Sequence, residues 1–168
     1  MVMTIPWKIK SKLFSIIDYF RLSRILFLLQ KYITRNSIKK SIKFNQYWEL
    51  HKNNLLIHKA NGIIFEFGVG NSLAQNLYLS QIVKSQILYD RERMIDFELV
   101  QLSQEFLIKE KGLNFKSKIK NFQDLEIKNI NYYAPADASK TNLKSYSIDA
   151  CVSTDTLEHI PKEKLKEN

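Results

Sequence analysis

Ile63-Ile-Phe-Glu-Phe-Gly-Val-Gly-Asn-Ser-Leu-Ala74 is the stretch that decides the fold of this chain. Residues 63–65 form an apolar, β-favouring run that predicts a buried strand, and Glu66 stands where this strand is expected to end. Gly68 and Gly70 follow, and a helical pattern begins after them. A strand, a glycine turn and a helix in this order bring backbone N–H groups up to a ligand. The stretch therefore predicts a ligand-binding turn, and a side chain at either glycine would block the approach.

The glycine pair fits more than one kind of turn. A dinucleotide-binding turn has the pattern Gly-x-Gly-x-x-Gly, but the sixth position here is Leu73, and a variant that ends in alanine would use Ala74. A second kind of turn has an acidic residue at the end of the strand, as Glu66 has here. A strand-to-helix turn without any ligand has the same pattern. The pair by itself leaves these three interpretations open.

Length, cysteine content and charge restrict the class of protein. The 168 residues suffice for one domain with a real core, and 45% of them are hydrophobic. The single cysteine, Cys151, excludes an internal disulfide and is predicted to be a small core residue. The net charge is +9, and residues 1–60 carry all of this excess, with 12 Lys/Arg and 2 Asp/Glu. This excess suits a solvated helical surface, and it also suits an anionic membrane surface or an acidic substrate.

Residues 1–60 are predicted to be a basic, helical N-terminal extension. Apolar residues recur at helical spacing over residues 12–34, and a second helix is expected over residues 44–59, which include Tyr47 and Trp48. The longest unbroken apolar run in the first helix is far shorter than the roughly 20 residues that span a bilayer. We expect this helix to pack on the core, and the alternative is that it lies on a membrane surface.

Residues 61–168 are predicted to form a domain in which strands and helices alternate. The expected elements after the first strand are a helix over 72–83, a strand over 86–90, a helix over 94–111 that stops at Gly112, a strand over 130–134 and a strand over 146–153. Alternation of this kind indicates an α/β fold with a parallel sheet that is covered on both faces.

Asp90 indicates a nucleoside-like ligand. It lies 20 residues after Gly70, at the tip of the second predicted strand. A carboxylate at that position can accept hydrogen bonds from both ribose hydroxyls of an adenosine group. NAD and S-adenosylmethionine (SAM) both contain this group, so Asp90 does not decide between them. A solvated loop aspartate is the alternative interpretation.

The segment from Asp137 to Pro161 resembles the middle of Rossmann-like (class I) SAM-dependent methyltransferases. In that family an Asp-Ala pair follows the third strand and a Leu-Glu-His-hydrophobic-Pro stretch follows the fourth, and here these are Asp137-Ala138 and Leu157–Pro161. Residues 66–70 match the Glu-x-Gly-x-Gly pattern of the same family, with Ser72 in place of its frequent third glycine. The resemblance covers residues 61–163 and implies a sheet with the strand order 3-2-1-4.

The resemblance implies SAM as the cofactor and gives the first half of its site. The methionine part would pass Gly68 and Gly70, and Glu66 would hold its ammonium group through water. Asp90 would accept the ribose hydroxyls.

The second half of the implied site lies after the third and fourth strands. Asp137 would accept from the adenine amino group, and the N–H of Ala138 would donate to the ring. Ser153 and Thr154 would face the reacting centre. His159 is the candidate base for a hydroxyl acceptor, because its ordinary pKa lies near neutrality. The alternative role of His159 is structural, at the start of a helix.

Sequence differences narrow the methyl acceptor. DNA amino methyltransferases carry Asn/Asp-Pro-Pro-Tyr after the fourth strand, whereas residues 153–156 read Ser-Thr-Asp-Thr. Base C5 methyltransferases use a Pro-Cys nucleophile, and Cys151 follows an alanine. The resemblance therefore implies a small-molecule, lipid or saccharide acceptor, and it argues against a nucleic acid.

Family members continue with three more strands after the place where this sequence stops. The predicted strand at 147–153 would then be an exposed hydrophobic edge, so we interpret residues 61–168 as a C-terminally incomplete domain of doubtful activity on its own. A cytoplasmic protein is expected, with residues 12–34 as the point of any peripheral membrane contact. Two alternatives stay open: an NAD(P)-binding oxidoreductase, and a non-catalytic remnant that binds a membrane or a partner through its basic N-terminal helix.

Overall fold

The computed structural model describes residues 42, 44–157 and 160. These residues belong to one compact unit that begins at Ile42. The helix predicted over residues 12–34 and the candidate base His159 lie outside the described residues. Among the helices that are described, none combines the length and the apolar character needed to cross a bilayer.

The described residues form four helices and four strands. In chain order they are α1 (Gln46–Ile57), β1 (Ile63–Phe67), α2 (Ala74–Leu79), β2 (Ser85–Tyr89), α3 (Phe97–Lys111), α4 (Phe122–Glu126), β3 (Ile130–Tyr133) and β4 (Ala150–Val152).

The four strands form one sheet in which every pairing is parallel, in the order β3-β2-β1-β4. This arrangement, with helices around the sheet, confirms the predicted Rossmann-like α/β fold and its strand order 3-2-1-4. The chain builds outward from β1 to β3 and then returns to place β4 on the other side of β1. The switch point therefore lies between β1 and β4, and in open α/β sheets ligands bind outside the carboxyl ends of the strands at such a point.

The core lies between one face of the sheet and the helices. Ile64, Leu88 and Ile130 are fully buried on that face. The helices contribute the other members of the cluster, which include Trp48, Leu55, Leu77, Leu79, Val100, Leu107 and Leu125. Each fully buried side chain of this size contributes roughly 1.5–3 kcal/mol relative to an exposed one. Trp48 is therefore a core residue, whereas its neighbour Tyr47 is 46% exposed.

The sequence predicts the C-terminal end of helix α3 correctly, but not its N-terminal start. Gly112 ends the helix with a φ of 63°, in the left-handed region that favours glycine, as predicted. The helix was expected from residue 94 but begins at Phe97. The side chain of Asp96 accepts a hydrogen bond from the N–H of Glu98, and this cap sets the start.

The fourth strand is shorter than predicted. It was expected over residues 146–153, but it covers Ala150–Val152. Tyr146 has a φ of 61° and is fully exposed, so the backbone is not extended there. Alignment with β1 begins at Asp149, whose N–H donates to the carbonyl of Ile63 (2.8 Å).

The prediction that Cys151 is a core residue was wrong, because its thiol side chain is exposed. Successive side chains of a strand point to opposite faces of the sheet. Val152 is 4% exposed and belongs to the core cluster. Cys151 therefore points to the opposite face of the sheet. Its strand, β4, is an edge strand of the described sheet and pairs with β1.

Candidate functional site

The turn after β1 depends on its two glycines. Gly68 and Gly70 both have a φ of +73°, a conformation that side chains other than glycine rarely adopt. The N–H of Gly68 donates to the carbonyl of Tyr89 (2.9 Å), so the turn begins beside the carboxyl end of β2. Helix α2 then starts at Ala74, after Leu73, whose φ is 51°. The predicted helix over 72–83 is thus shorter at both ends.

The two glycines have different surroundings. A Cβ atom at Gly68 would overlap the side chain of Thr156, whereas a Cβ atom at Gly70 would meet nothing within 4 Å. The hydroxyl of Thr156 also lies 3.3 Å from the carbonyl oxygen of Gly68, to which it donates. At Gly68, therefore, the side chain of Thr156 occupies the space beside the glycine. The open space at Gly70 is the part of the turn that is left free for a ligand.

We expect Gly68→Ala to destabilise the fold by about 2–4 kcal/mol, because it adds the Thr156 overlap to the backbone strain. Gly70→Ala is the matched control, since it has the same φ without an overlap and should cost about 1–2 kcal/mol. Urea denaturation of both variants measures the difference. Equal losses would contradict the assigned role of Thr156.

Asp90 lies directly after β2 and is 4% exposed. The hydroxyl of Tyr132 donates to its Oδ2 (3.0 Å), and the backbone N–H groups of Val69 and Gly70 also donate to its carboxylate. Burial raises the pKa of Asp90 to about 6, although these hydrogen bonds act in the opposite direction. Asp90 therefore holds the glycine turn against the tip of β2.

Glu66 occupies a deeper position than the sequence predicts. It was expected at the end of the strand, but β1 continues to Phe67, and the strand alternation turns Glu66 into the helix-covered face. Its carboxylate is 3% exposed. Burial raises the pKa of Glu66 to about 7, and the nearby charge of Asp90 adds to this rise. Glu66 thus lies beneath the turn.

Two amides from helix α2 satisfy the buried carboxylate. Gln75 Nε2 donates to Glu66 Oε1 (2.9 Å), and Asn76 Nδ2 donates to Glu66 Oε2 (2.7 Å). Asn76 is held in turn by Gln86 of β2, whose Oε1 accepts from Asn76 Nδ2 (3.2 Å) and whose Nε2 donates to the Asn76 carbonyl (2.8 Å). These side chains form a buried polar cluster within an otherwise apolar layer.

The cluster continues to the end of β4 and to helix α1. The hydroxyl of Thr154 donates to Gln75 Oε1 (2.9 Å), and His51 Nε2 lies 3.0 Å from Thr154 Oγ1. Burial lowers the pKa of His51. None of His51, Gln75 and Asn76 was among the predicted site residues. Gln75 and Asn76 stand directly after the glycine turn, a position that does not by itself indicate that they bind Glu66, and nothing marked His51 on its helix.

The remaining predicted cofactor residues lie on the neighbouring loops. Asp137 is exposed, and its Oδ1 accepts from the N–H (3.0 Å) and the hydroxyl (2.8 Å) of Ser139, which lowers the pKa of Asp137. The N–H of Ala136 donates to the carbonyl of Asp90 (2.8 Å), so the loop that carries Asp137 and Ala138 is tied to the tip of β2.

Ser153 follows β4 directly, as predicted. Its hydroxyl is buried and has no hydrogen-bond partner among the described residues. Buried hydroxyls are normally paired, so this oxygen is an exception among the described residues.

The structure thus brings Glu66, Gly68, Gly70 and Asp90 together at the carboxyl edge of the sheet. Ser153 lies after the strand that borders β1, and His159 is outside the described residues. Within the part of the chain that the structure describes, no group of three or more His, Cys, Asp or Glu side chains is placed to hold a metal ion.

In comparisons with known proteins, no family model, no curated protein and no solved structure matches the chain.

Proposed function

We propose that this chain is a SAM-dependent methyltransferase, and one observation carries the proposal. Two buried carboxylates, Glu66 and Asp90, flank the glycine turn at the switch point of the sheet, close enough for Asp90 to raise the pKa of Glu66. Once ionised, they give this edge a negative field in a low-dielectric setting. SAM carries a sulfonium and an ammonium group, so this field favours it. The charge of Glu66 beneath the glycine turn opposes the pyrophosphate of a dinucleotide, which disfavours the NAD(P) alternative, whereas Asp90 suits the ribose of either ligand.

Asp90 has the capacity to bind a ribose. An ionised carboxylate accepts about four hydrogen bonds. Asp90 already accepts three, from the Tyr132 hydroxyl and from the N–H groups of Val69 and Gly70. One of the three is replaceable, because the hydroxyl of Tyr132 also lies 3.3 Å from the carbonyl of Glu92. A ribose hydroxyl can therefore take the place of Tyr132 at Asp90 while Tyr132 turns to Glu92.

The proposed reaction is an in-line methyl transfer. The bond between the methyl carbon and the sulfonium sulfur breaks as the bond to the acceptor forms, which leaves S-adenosylhomocysteine, and the proton of the acceptor passes to a base of the site or to solvent. The methyl group is already activated, so positioning supplies much of the rate. The proposed acceptor is a small molecule, a lipid or a saccharide, in line with Ser-Thr-Asp-Thr at residues 153–156.

The proposal includes a cytoplasmic location. The exposed free thiol of Cys151 suits a reducing compartment. The basic residues of 1–60 extend the proposal to peripheral contact with an anionic membrane surface, in which residues 12–34 take part.

Calorimetric titration of the purified 168-residue chain with S-adenosylhomocysteine tests this function, with NADPH as the competing ligand. We expect saturable binding of S-adenosylhomocysteine and none of NADPH, because Glu66 repels the pyrophosphate and Asp90 repels the 2′-phosphate. Binding of NADPH alone would overturn the proposal in favour of an oxidoreductase. A folded chain that binds neither ligand would contradict the proposal for this chain and favour the non-catalytic alternative.

A further inference from the structure

A continuous hydrogen-bonded path joins Glu66 to His51 through Gln75 and Thr154. It crosses from β1 to α2, then to the residues after β4, and ends on α1. Glu66 and Gln75 are both more than nine-tenths buried. Because every link has one donor and one acceptor, the direction of each hydrogen bond depends on the direction of the one before it.

The far side of Glu66 fixes the starting point of this path. Gln86 Nε2 must donate to the Asn76 carbonyl, so Gln86 Oε1 is an acceptor and Asn76 must present its amide nitrogen. The same nitrogen donates to Glu66 Oε2. Asn76 therefore cannot rotate by a half turn without breaking these bonds. Only the Oε1 side of Glu66, which faces Gln75, is free to change between accepting and donating.

The ionised form of Glu66 sets one direction along the whole path. Its Oε1 accepts, so Gln75 turns its NH₂ group toward Glu66 and its oxygen toward Thr154. Thr154 has one hydroxyl proton and gives it to that oxygen. Thr154 Oγ1 must then accept from His51, so Nε2 carries the imidazole proton and Nδ1 keeps its lone pair.

An uncharged side chain at Glu66 sets the opposite direction. A donor at this position turns the Gln75 oxygen toward residue 66 and its NH₂ group toward Thr154. The Thr154 hydroxyl then donates to His51 Nε2, and the imidazole proton moves to Nδ1. Glutamine in place of Glu66 presents such a donor at every pH.

We propose that Glu66 is a positioning residue that fixes the tautomer of His51 through Gln75 and Thr154, so that Nδ1 of His51 is the proton-accepting atom beside the carboxyl end of β4. The use of this atom for the proton of a methyl acceptor rests on the proposed function, but the linkage itself does not. His51 Nδ1 has no hydrogen-bond partner among the described residues, so it is available for that proton.

Among the described residues, charged groups lie near both ends of the path. Asp90 on β2 is the charged neighbour that affects Glu66. Glu49 and Lys52 lie on the same helix as His51, but they pair with each other (3.3 Å) and with Tyr78 of α2. Neither of them is hydrogen-bonded to His51, so within the described part of the chain the Thr154 hydroxyl is the group that orients its ring.

Long-range ¹H–¹⁵N NMR of the histidine side chains in the full chain at pH 8, without cofactor, tests the linkage. The tautomer of each neutral imidazole is read directly from its two nitrogen shifts, and His51→Gln assigns the signals. We expect the Nε2–H form of His51 to predominate in the wild type. In Glu66→Gln the Nδ1–H form should predominate, with a change in the ratio of about tenfold for the exchange of one hydrogen bond.

Two further variants separate the path from a general effect of charge. Glu49→Gln removes a carboxylate two residues from His51 without touching the path, and it should leave the tautomer unchanged. Thr154→Val removes the link, so adding Glu66→Gln to it should have no further effect on His51. A wild-type His51 in the Nδ1–H form, or the same tautomer in the wild type and in Glu66→Gln, would overturn the proposal. Because no cofactor is present, this result is independent of the S-adenosylhomocysteine titration.

Discussion

Glu66→Gln is expected to make the protein more stable at pH 8, although it replaces a residue of the candidate site. The pKa of Glu66 is about 7 in the folded protein, against an ordinary value of 4.5. Between these two values the folded state holds a proton that the unfolded state has lost. Stability from this group is therefore fully present below pH 4.5 and is lost as the pH rises through 7. The loss amounts to about 3 kcal/mol, because one pKa unit corresponds to roughly 1.4 kcal/mol.

The variant removes this loss because glutamine carries no charge to bury. Gln75 can rotate to accept from the new NH₂ group, so the hydrogen bonds at this position are kept. We expect the difference in unfolding free energy between the variant and the wild type to move in favour of the variant by about 3 kcal/mol between pH 4.5 and pH 8. Asp90 also titrates in both proteins, and because its charge contributes to the raised pKa of Glu66, the difference reports on the coupled pair.

Urea denaturation at a series of pH values measures this effect. Glu105→Gln is the control, since Glu105 is exposed and paired with Lys118 in solvent (3.1 Å), where such pairs contribute little. A Glu66→Gln protein that is less stable than the wild type at pH 8, or a difference that does not change with pH, would show that Glu66 is ionised without penalty in the fold.

Asp90→Asn is expected to weaken S-adenosylhomocysteine binding by about 100-fold. The substitution removes the charged acceptor for the ribose hydroxyls, and hydrogen bonds to a charged group contribute roughly 1.5–3 kcal/mol each. It also places an NH₂ group against donors from Val69, Gly70 and Tyr132, so the turn that forms the site loses its anchor.

Asp149→Asn is the matched control for the Asp90 variant. Asp149 directly precedes β4, at the amino ends of the strands and away from the candidate site. Its carboxylate accepts a hydrogen bond from the N–H of Ile63 (2.6 Å). The two variants change the net charge equally, so only a local role of Asp90 predicts different affinities. Calorimetric titration of both variants at pH 8 measures this. If Asp90→Asn and the wild type bind S-adenosylhomocysteine with equal affinity, the proposed contact between Asp90 and the ribose is wrong.

Local signals in the sequence were sufficient for the order and type of the four strands and of helices α1, α2 and α3, but α4 was not among the predicted elements. Short apolar runs marked the strands, and Gly112 marked the end of α3. The position of Asp90 at the tip of β2 followed from counting along one strand. Such features depend on neighbours in the sequence, which is why they were predictable.

Features that depend on the side to which a strand residue points were less predictable. Strand β1 continues to Phe67, so Glu66 lies within the strand, and it enters the buried layer because it is on the same face as Ile64. Cys151 was placed in the core because the run around it is apolar, but its neighbour Val152 takes the inward position. An error of one residue in a strand reverses the face, so apolar composition alone does not fix it.

The sequence by itself determined an α/β sheet, a glycine turn at the end of its first strand and an acidic residue at the tip of the second. These properties follow from hydrophobic periodicity and from the need for positive φ at Gly68 and Gly70. Only the tertiary structure decided which groups meet at that turn. His51 and Thr154 are 103 residues apart in the chain, and the amides that bind Glu66 carry no sequence mark of that role. A hydrogen bond over such a separation is made by the packing of α1 and α2 against the sheet, and no local pattern encodes it.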